Sequence, residues 1–339
     1  MATAAVSTTS TSSSAEGASG PRTGVLLANL GTPASSSVAD VRRYLREFLG
    51  DPRVVRAPRW LWWCVLEGLI LPFRAPRSAE LYRSIWTSAG SPLLVHSRAQ
   101  AQALGLRLGP RIPVALGMRY GEPSLASALR ELARAGCARV RLLALFPQES
   151  STTTGTLVAR AETCARELGL ELEALPPFHS HPAYIAALAR SVREGAPGSA
   201  SLHHVFSFHG LPASYVASGD PYLAHCRATA GLLAAELELP SGRWSLAFQS
   251  RFGPQRWLEP YLEPHLAELA AREPRVVLVT PGFVADCLET LEELGVRARE
   301  RFREAGGEEL RLVPCLNARP DFIEALVAVA GLEPTTRGL

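Results

Sequence analysis

The chain has 339 residues, 47% hydrophobic and 20% charged, with a formal net charge of +3. That is a globular balance, long enough for two lobes that each bury a core, and too weakly charged to imply nucleic acid. All 35 basic residues are arginine, which excludes Schiff-base chemistry and a P-loop nucleotide site, because both need a primary amine.

Residues 1–22 are rich in Ala, Ser, Thr and Gly and have neither the basic start nor the apolar run of a secretory signal. They read as a disordered tail; a transit peptide shares the serine bias but calls for arginines before Arg22. The first strand spans 25–30 and is stopped by Gly31-Thr32-Pro33. A helix follows at about 38–49, with Val41, Tyr44, Leu45 and Phe48 at helical spacing and serines ahead of it as caps.

Residues 58–73 then break the pattern. The segment is apolar on all sides, runs through Trp60, Trp62, Trp63 and Phe73, and is flanked by Arg53, Arg56, Arg59, Arg74 and Arg77. It is too short to cross a bilayer, and Glu67 interrupts it. Two readings stand: a buried helix, or a lip that touches a membrane interface or a greasy ligand, since Trp with flanking Arg suits such an interface.

Beyond it the alternation is regular. Strands are predicted at 114–118, 140–146, 170–175, 204–208, 244–248, 276–280 and 310–313, with helical patterns between, as at 124–135, 222–237 and 257–271. This rhythm predicts an α/β protein, with parallel sheets and helices on both faces. Four strands precede Pro176-Pro177 and four follow, so the lobes are placed at 23–176 and 177–333 around a cleft. The last helix is expected in the second lobe or packed back on the first. The six cysteines (64, 137, 164, 226, 287 and 315) form no CxxC pair and read as buried thiols in a reducing compartment.

The strand at 204–208 is followed by His209-Gly210-Leu211-Pro212, so His209 falls at a carboxyl edge, where open α/β sheets bind ligands. A histidine in a turn is more often a local hydrogen-bonding residue, but a second element points to the same edge. After the strand at 276–280, Pro281-Gly282-Phe283 leads into Asp286, Glu289 and Glu293, spaced i, i+3 and i+7 on a helix expected to start at Asp286. A solvated acidic face is the ordinary fate of such a column. At a ligand edge, hard oxygen ligands can instead pass a divalent cation or protons along a path. Arg119 and Arg251 stand just past other strands and can pair a substrate carboxylate. Together these groups suit a large, flat, anionic ligand that exchanges protons for a metal.

Seven blocks then resemble one family in order along the chain: Asn29-Leu30-Gly31-Thr32-Pro33, Gly90-Ser91-Pro92, Arg119-Tyr120, residues 207–212, Gly219-Asp220-Pro221-Tyr222, residues 249–253 and residues 286–291. The family is ferrochelatase. The resemblance implies two Rossmann-like lobes, each a parallel four-stranded sheet flanked by helices, with the porphyrin in the cleft. The activity it implies is insertion of ferrous iron into protoporphyrin IX, giving protohaem in the terminal step of haem biosynthesis. His209 matches the histidine taken as proton acceptor or metal contact, and Glu289 its acidic partner, with Asp286 and Glu293 continuing the acidic path. Arg119, Tyr120, Ser91 and Leu30 match positions near the porphyrin, and residues 58–73 match a hydrophobic lip.

Departures from the family pattern set further expectations. Ser151 stands where animal members have a cluster cysteine, and no cysteine follows Cys315; no [2Fe-2S] cluster and no required cofactor are expected. Cys287 replaces a histidine of some members, and Leu30 a methionine or tyrosine, so Leu30 offers the metal no ligand. The expected place is the cytoplasm, in peripheral contact with a membrane through Trp60 to Phe73, with no nucleic-acid partner. The alternatives are the same chemistry on coproporphyrin III, or a tetrapyrrole carrier without turnover.

Overall fold

A computed structural model of the chain describes residues 22–333. The stretch read as a tail lies outside the described residues, except that Arg22 already begins the first strand. In the first half, β1 (Arg22–Gly31) is followed by α1 (Val38–Leu49), α2 (Arg59–Val65), a π-helical stretch (Leu66–Ile70), α3 (Leu71–Ile85) and α4 (Pro92–Leu108). Then come β2 (Val114–Tyr120), α5 (Leu125–Arg134), β3 (Cys137–Ala144), α6 (Thr154–Glu167) and β4 (Glu171–Ala174). The second half contains α7 (Pro182–Gly195), β5 (His203–His209), α8 (Ala213–Ala217), α9 (Tyr222–Glu236), β6 (Trp244–Gln249), α10 (Leu262–Ala270) and β7 (Arg275–Val279). A π-helix (Glu289–Ala298), α11 (Arg299–Glu304), β8 (Glu309–Leu312) and α12 (Pro320–Ala330) complete it.

Both sheets are parallel and share one order, β2-β1-β3-β4 and β6-β5-β7-β8. Each central strand, β1 and β5, is buried on both faces, as a continuous apolar run dictates. The outer faces carry separate cores, Leu26 and Leu142 beneath α5 and α6, and Val205 and Leu278 beneath α10. The inner faces merge. One buried cluster runs from Val25, Leu27 and Leu143 to Phe206, Phe208 and Val277 through α7, α9 and α12. Helix α12 packs on both α4 and α7, and Arg141 Nη1 of β3 donates to the Ala330 carbonyl at 2.7 Å. The last helix therefore does reach the first lobe.

Local chemistry explains where elements stop. Gly31 ends β1 at φ +116°, and a Cβ there would sit 1.8 Å from the Tyr120 carbonyl oxygen, so only glycine allows β1 and β2 to close up. Ser37 caps α1 by accepting from the Asp40 N–H. The helix expected at 257–271 begins only at Leu262, because Pro260 drives Glu259 out of helical geometry. Trp257 instead bridges to Pro212.

Candidate functional site

His209 is the last residue of β5, the strand bonded on both sides in its sheet. A Cβ at Gly210 would meet the Gln249 carbonyl oxygen at 2.8 Å and the Trp257 ring at 3.0 Å, so glycine is needed for the turn that follows. That turn fixes the ring. His209 Nδ1 lies 2.6 Å from the Gly210 carbonyl oxygen, which can only accept. Nδ1 therefore carries a hydrogen, and in the neutral tautomer the lone pair lies on Nε2. The Tyr222 hydroxyl donates to the His209 carbonyl at 3.0 Å, and the Phe283 ring lies 6.5 Å from the imidazole.

Glu289 and Glu293 stand on the π-helix after β7. Its wide turns, closed by i→i+5 bonds, keep residues four apart on one face. Ser250, just past β6, donates to Glu293 from its N–H (2.8 Å) and its hydroxyl (2.6 Å). Burial raises the Glu293 pKa, against the Ser250 hydroxyl and the charge of His209, and Glu289 raises it further. A carboxyl biased toward its protonated form thus stands within electrostatic reach of both His209 and Glu289. Gln249 ties the group together: its Oε1 accepts from Ser207 (2.8 Å) and its Nε2 donates to the Glu289 carbonyl (3.3 Å).

The charge of Glu289 is felt in the first lobe. Burial first, and Glu289 second, hold the Tyr44 hydroxyl well above its ordinary range, while Glu289 partly offsets the lowering that burial imposes on Arg74. Leu288 packs into the cluster formed by α1 and α3. The π-helix therefore carries its acids to the seam between the two halves.

Asp286 stands apart from the two glutamates. It precedes the helix and is buried, accepting from Thr290 (3.1 Å), the Cys315 N–H (3.4 Å) and Asn317 Nδ2 (2.7 Å). Held by these protein donors, it anchors the helix entry ahead of Glu289 and Glu293.

Arg119 and Tyr120 have partners inside the protein. Tyr120 is fully buried and donates to Asp51 Oδ2 at 3.0 Å. The Arg119 Nη2 pairs with the same oxygen, and its Nε donates to the Thr156 hydroxyl at 2.8 Å and the Thr156 carbonyl at 3.2 Å. Burial pushes the Asp51 pKa up, but its donors, the Thr156 hydroxyl foremost, outweigh that and leave it lowered. Both residues are tied to Asp51, Tyr120 fully buried and Arg119 only partly. Ser91 is likewise buried, its hydroxyl 2.7 Å from that of Thr32. Leu30 is partly buried against the α1–α3 cluster.

Sequence reasoning missed three residues. Asp51 had no motif to mark it. Ser250 was quoted only within a block. Arg74 was one flanking arginine of five, yet its guanidinium lies 4.2 Å from the Phe252 ring centroid, and its Nη1 is buried with no hydrogen-bond partner among the described residues. The lip is an exposed ridge: Trp60 is 74%, Leu69 60% and Phe73 64% exposed. Its underside is pinned by fully buried Leu66, by Trp62 donating to the Leu49 carbonyl (2.7 Å), and by Glu67 paired with Arg42 and Arg46. The buried-helix reading is thereby set aside. Among the described residues no helix is long and apolar enough to cross a membrane. A hollow of about 440 Å3 lies away from this site, lined by Ala101, Gly105, Leu106 and Val114, and no titratable group borders it.

The comparisons with known proteins fit this geometry. The family profile described as Ferrochelatase matches residues 22–331. The ferrochelatase of Aromatoleum aromaticum is 46% identical over 321 residues, covering 91% of this chain and 87% of its own. That of Klebsiella pneumoniae is 46% identical over 314 residues, covering 90% of this chain and 97% of its own. Among solved structures, the sirohydrochlorin chelatase SirB from Bacillus subtilis, in complex with cobalt, superposes with a TM-score of 0.54 at 10% identity, covering 91% of this chain and 94% of its own. CbiX, described as the terminal enzyme of sirohaem biosynthesis in denitrifying bacteria, gives 0.51 at 16% identity, over 91% and 98%. Those two structures bear on the fold alone. Near half identity across nine-tenths of the length, joined to a histidine and two glutamates at one sheet edge, leaves one conclusion: the chain belongs to the ferrochelatase family.

Proposed function

We propose that this chain inserts ferrous iron into protoporphyrin IX, with His209 Nε2 accepting the pyrrole protons and Glu289 and Glu293 handling the cation. Family membership makes it a metal-inserting lyase of the terminal haem step; the choice of porphyrin and the residue roles are our reading. One observation carries it: the imidazole whose Nδ1 is engaged by the Gly210 carbonyl stands at the same sheet edge as Glu293, which feels the charge of both His209 and Glu289.

The reaction exchanges one divalent cation for two N–H protons, so charge balances within the macrocycle. The protons point inward and block the metal until the ring buckles and a base takes them. A rigid wall that fits the buckled ring better than the flat one lowers that barrier. A neutral imidazole suits proton transfer near pH 7, and carboxylates release a hard cation readily. Arg74, half-buried, with a buried Nη1 that has no hydrogen-bond partner among the described residues and in electrostatic reach of Glu289, is our choice to meet a porphyrin carboxylate. The exposed apolar ridge from Trp60 to Phe73 supports the greasier protoporphyrin over coproporphyrin III, and supports cytoplasmic protein resting peripherally on a membrane. No cofactor is required by this chemistry.

The test is anaerobic incubation with ferrous iron and either porphyrin, followed by absorbance. Faster conversion of protoporphyrin IX is expected. Faster conversion of coproporphyrin III would reverse the substrate assignment, and binding of both without metallation would leave a carrier.

A further inference from the structure

The motif Gly219-Asp220-Pro221-Tyr222 takes no part in the chemistry above, yet the turn it forms touches both lobes. Asp220 is buried. Its Oδ2 accepts from the Ser150 hydroxyl (3.1 Å), the Ser151 N–H (2.8 Å) and the Ser151 hydroxyl (2.8 Å), and its Oδ1 from the Tyr222 N–H (3.1 Å). Further along α9, His225 Nδ1 accepts from the Glu149 N–H (3.2 Å), and the Thr229 hydroxyl accepts from Gln148 Nε2 (2.9 Å). The loop at 148–151, which follows the first sheet's β3, is thus held residue by residue from the second lobe. Between Asp220 and His225, the Tyr222 hydroxyl reaches the other way, to the His209 carbonyl.

A fourth contact involves the connection between lobes. His179 stacks on His225 with centroids 3.7 Å apart and planes at 9°. Its carbonyl accepts from the Thr229 hydroxyl at 2.8 Å, and its Nδ1 is buried with no partner among the described residues.

We propose that the opening turn of α9 is the positioning element of the site: Asp220 and His225 lock the 148–151 loop to the second lobe and so set the spacing of the walls, while Tyr222 places His209. This deepens the reading of His209 as proton acceptor and rests on it. It also makes the lock acid-sensitive, because a protonated Nδ1 on His225 cannot accept the Glu149 N–H. The groups facing this histidine are Glu149 from the loop, Asp220 from its own turn and His179 stacked on it, with Arg56 of the lip on Ser151. Burial opposes the cation on both rings, while Glu149 and Asp220 favour it on His225.

Three variants test it in the full chain. Tyr222→Phe should lower kcat for iron insertion about tenfold, as expected for losing one buried hydrogen bond, and should shift the His209 titration followed by ring NMR, with porphyrin affinity unchanged. Asp220→Ala should raise the porphyrin KM and speed hydrogen exchange across 148–152, and Asp220→Asn should restore part of both; Ser151→Ala carries this arm if Asp220→Ala does not fold. His225→Gln, an acceptor that does not titrate, should abolish the extra exchange that the wild type shows on going from pH 7 to pH 5, after correction for intrinsic rates. Unchanged kcat and His209 titration in Tyr222→Phe, or unchanged exchange in Asp220→Ala and Ser151→Ala, overturns the proposal. An inactive wild type, or a fully active His209→Ala, would instead overturn the reading beneath it.

Discussion

At His209 a strand end, a glycine turn and a carbonyl acceptor combine to leave one basic nitrogen, Nε2, at the ligand edge. General-base groups contribute roughly 100- to 10,000-fold, so His209→Ala is expected to lose iron insertion on that scale while keeping porphyrin binding. Glu289→Ala should do the same, for want of its carboxylate beside Glu293. Anaerobic absorbance and porphyrin fluorescence quenching read the two properties separately, and normal turnover in either variant sinks the assignment. Asp51 answers a different question. It is buried beside a mostly buried Arg119, and removing one partner of such a pair costs about 3–5 kcal/mol. Asp51→Ala should therefore shift urea unfolding strongly; a midpoint near that of the wild type would show that water compensates Arg119. His209 was legible in the sequence because a glycine follows an apolar run. Asp51 was not, because Arg119, Tyr120 and Thr156 are 68, 69 and 105 residues away.

Among the elements, the lip and the π-helix depart most from the simple pattern. An all-round apolar segment is ambiguous between core and surface, because periodicity names a buried face only when a polar one exists. Packing resolved it: Leu66 and Trp62 turn inward, Trp60 and Trp63 outward. If that ridge rests on lipid, the double variant Trp60→Ala/Trp63→Ala should bind anionic vesicles about tenfold more weakly, since burying one large apolar side chain is worth about 1.5–3 kcal/mol. Cosedimentation checks it, and equal binding by wild type and variant, or none by either, rejects the membrane contact. The ion pairs of Glu67 with Arg42 and Arg46 are half-exposed and contribute about 0–1 kcal/mol each, so apolar packing holds the lip. Along the π-helix the acidic column divides. Glu289 and Glu293 share a face, but Asp286 lies before the first turn, held by Asn317 from the loop after β8.

Taken whole, the molecule is two sheets of the same order whose inner faces share one core. That arrangement buries His203 and His204 and leaves His179, His225 and His265 half-buried. Burial is the main cause lowering the pKa of each, and it takes His179 down to about 4. A lowered folded pKa means that stability is complete above the unfolded value of about 6.5 and is lost as pH falls below it, because only the unfolded chain takes up those protons. Glu293, whose pKa is raised, works in the opposite direction as a single group. Urea unfolding should give lower stability at pH 5 than at pH 7.5; a flat or rising profile would contradict the burial of these rings as neutral groups.

The sequence by itself determined the parallel α/β alternation, the two halves and the carboxyl-edge position of His209. Those follow from local causes: β-branched and aromatic runs, helical spacing, and glycine or proline at the ends. Only the tertiary structure decided which polar side chains stay available to a ligand. It committed Arg119, Tyr120, Ser91 and Asp286 to buried partners, left Arg74 unsatisfied, and drew Asp220, His225 and Tyr222 into a lock between lobes. The physical reason is that a buried donor or acceptor must find a partner wherever the fold brings one. Most of those partners stand tens of residues away, where no spacing rule reaches.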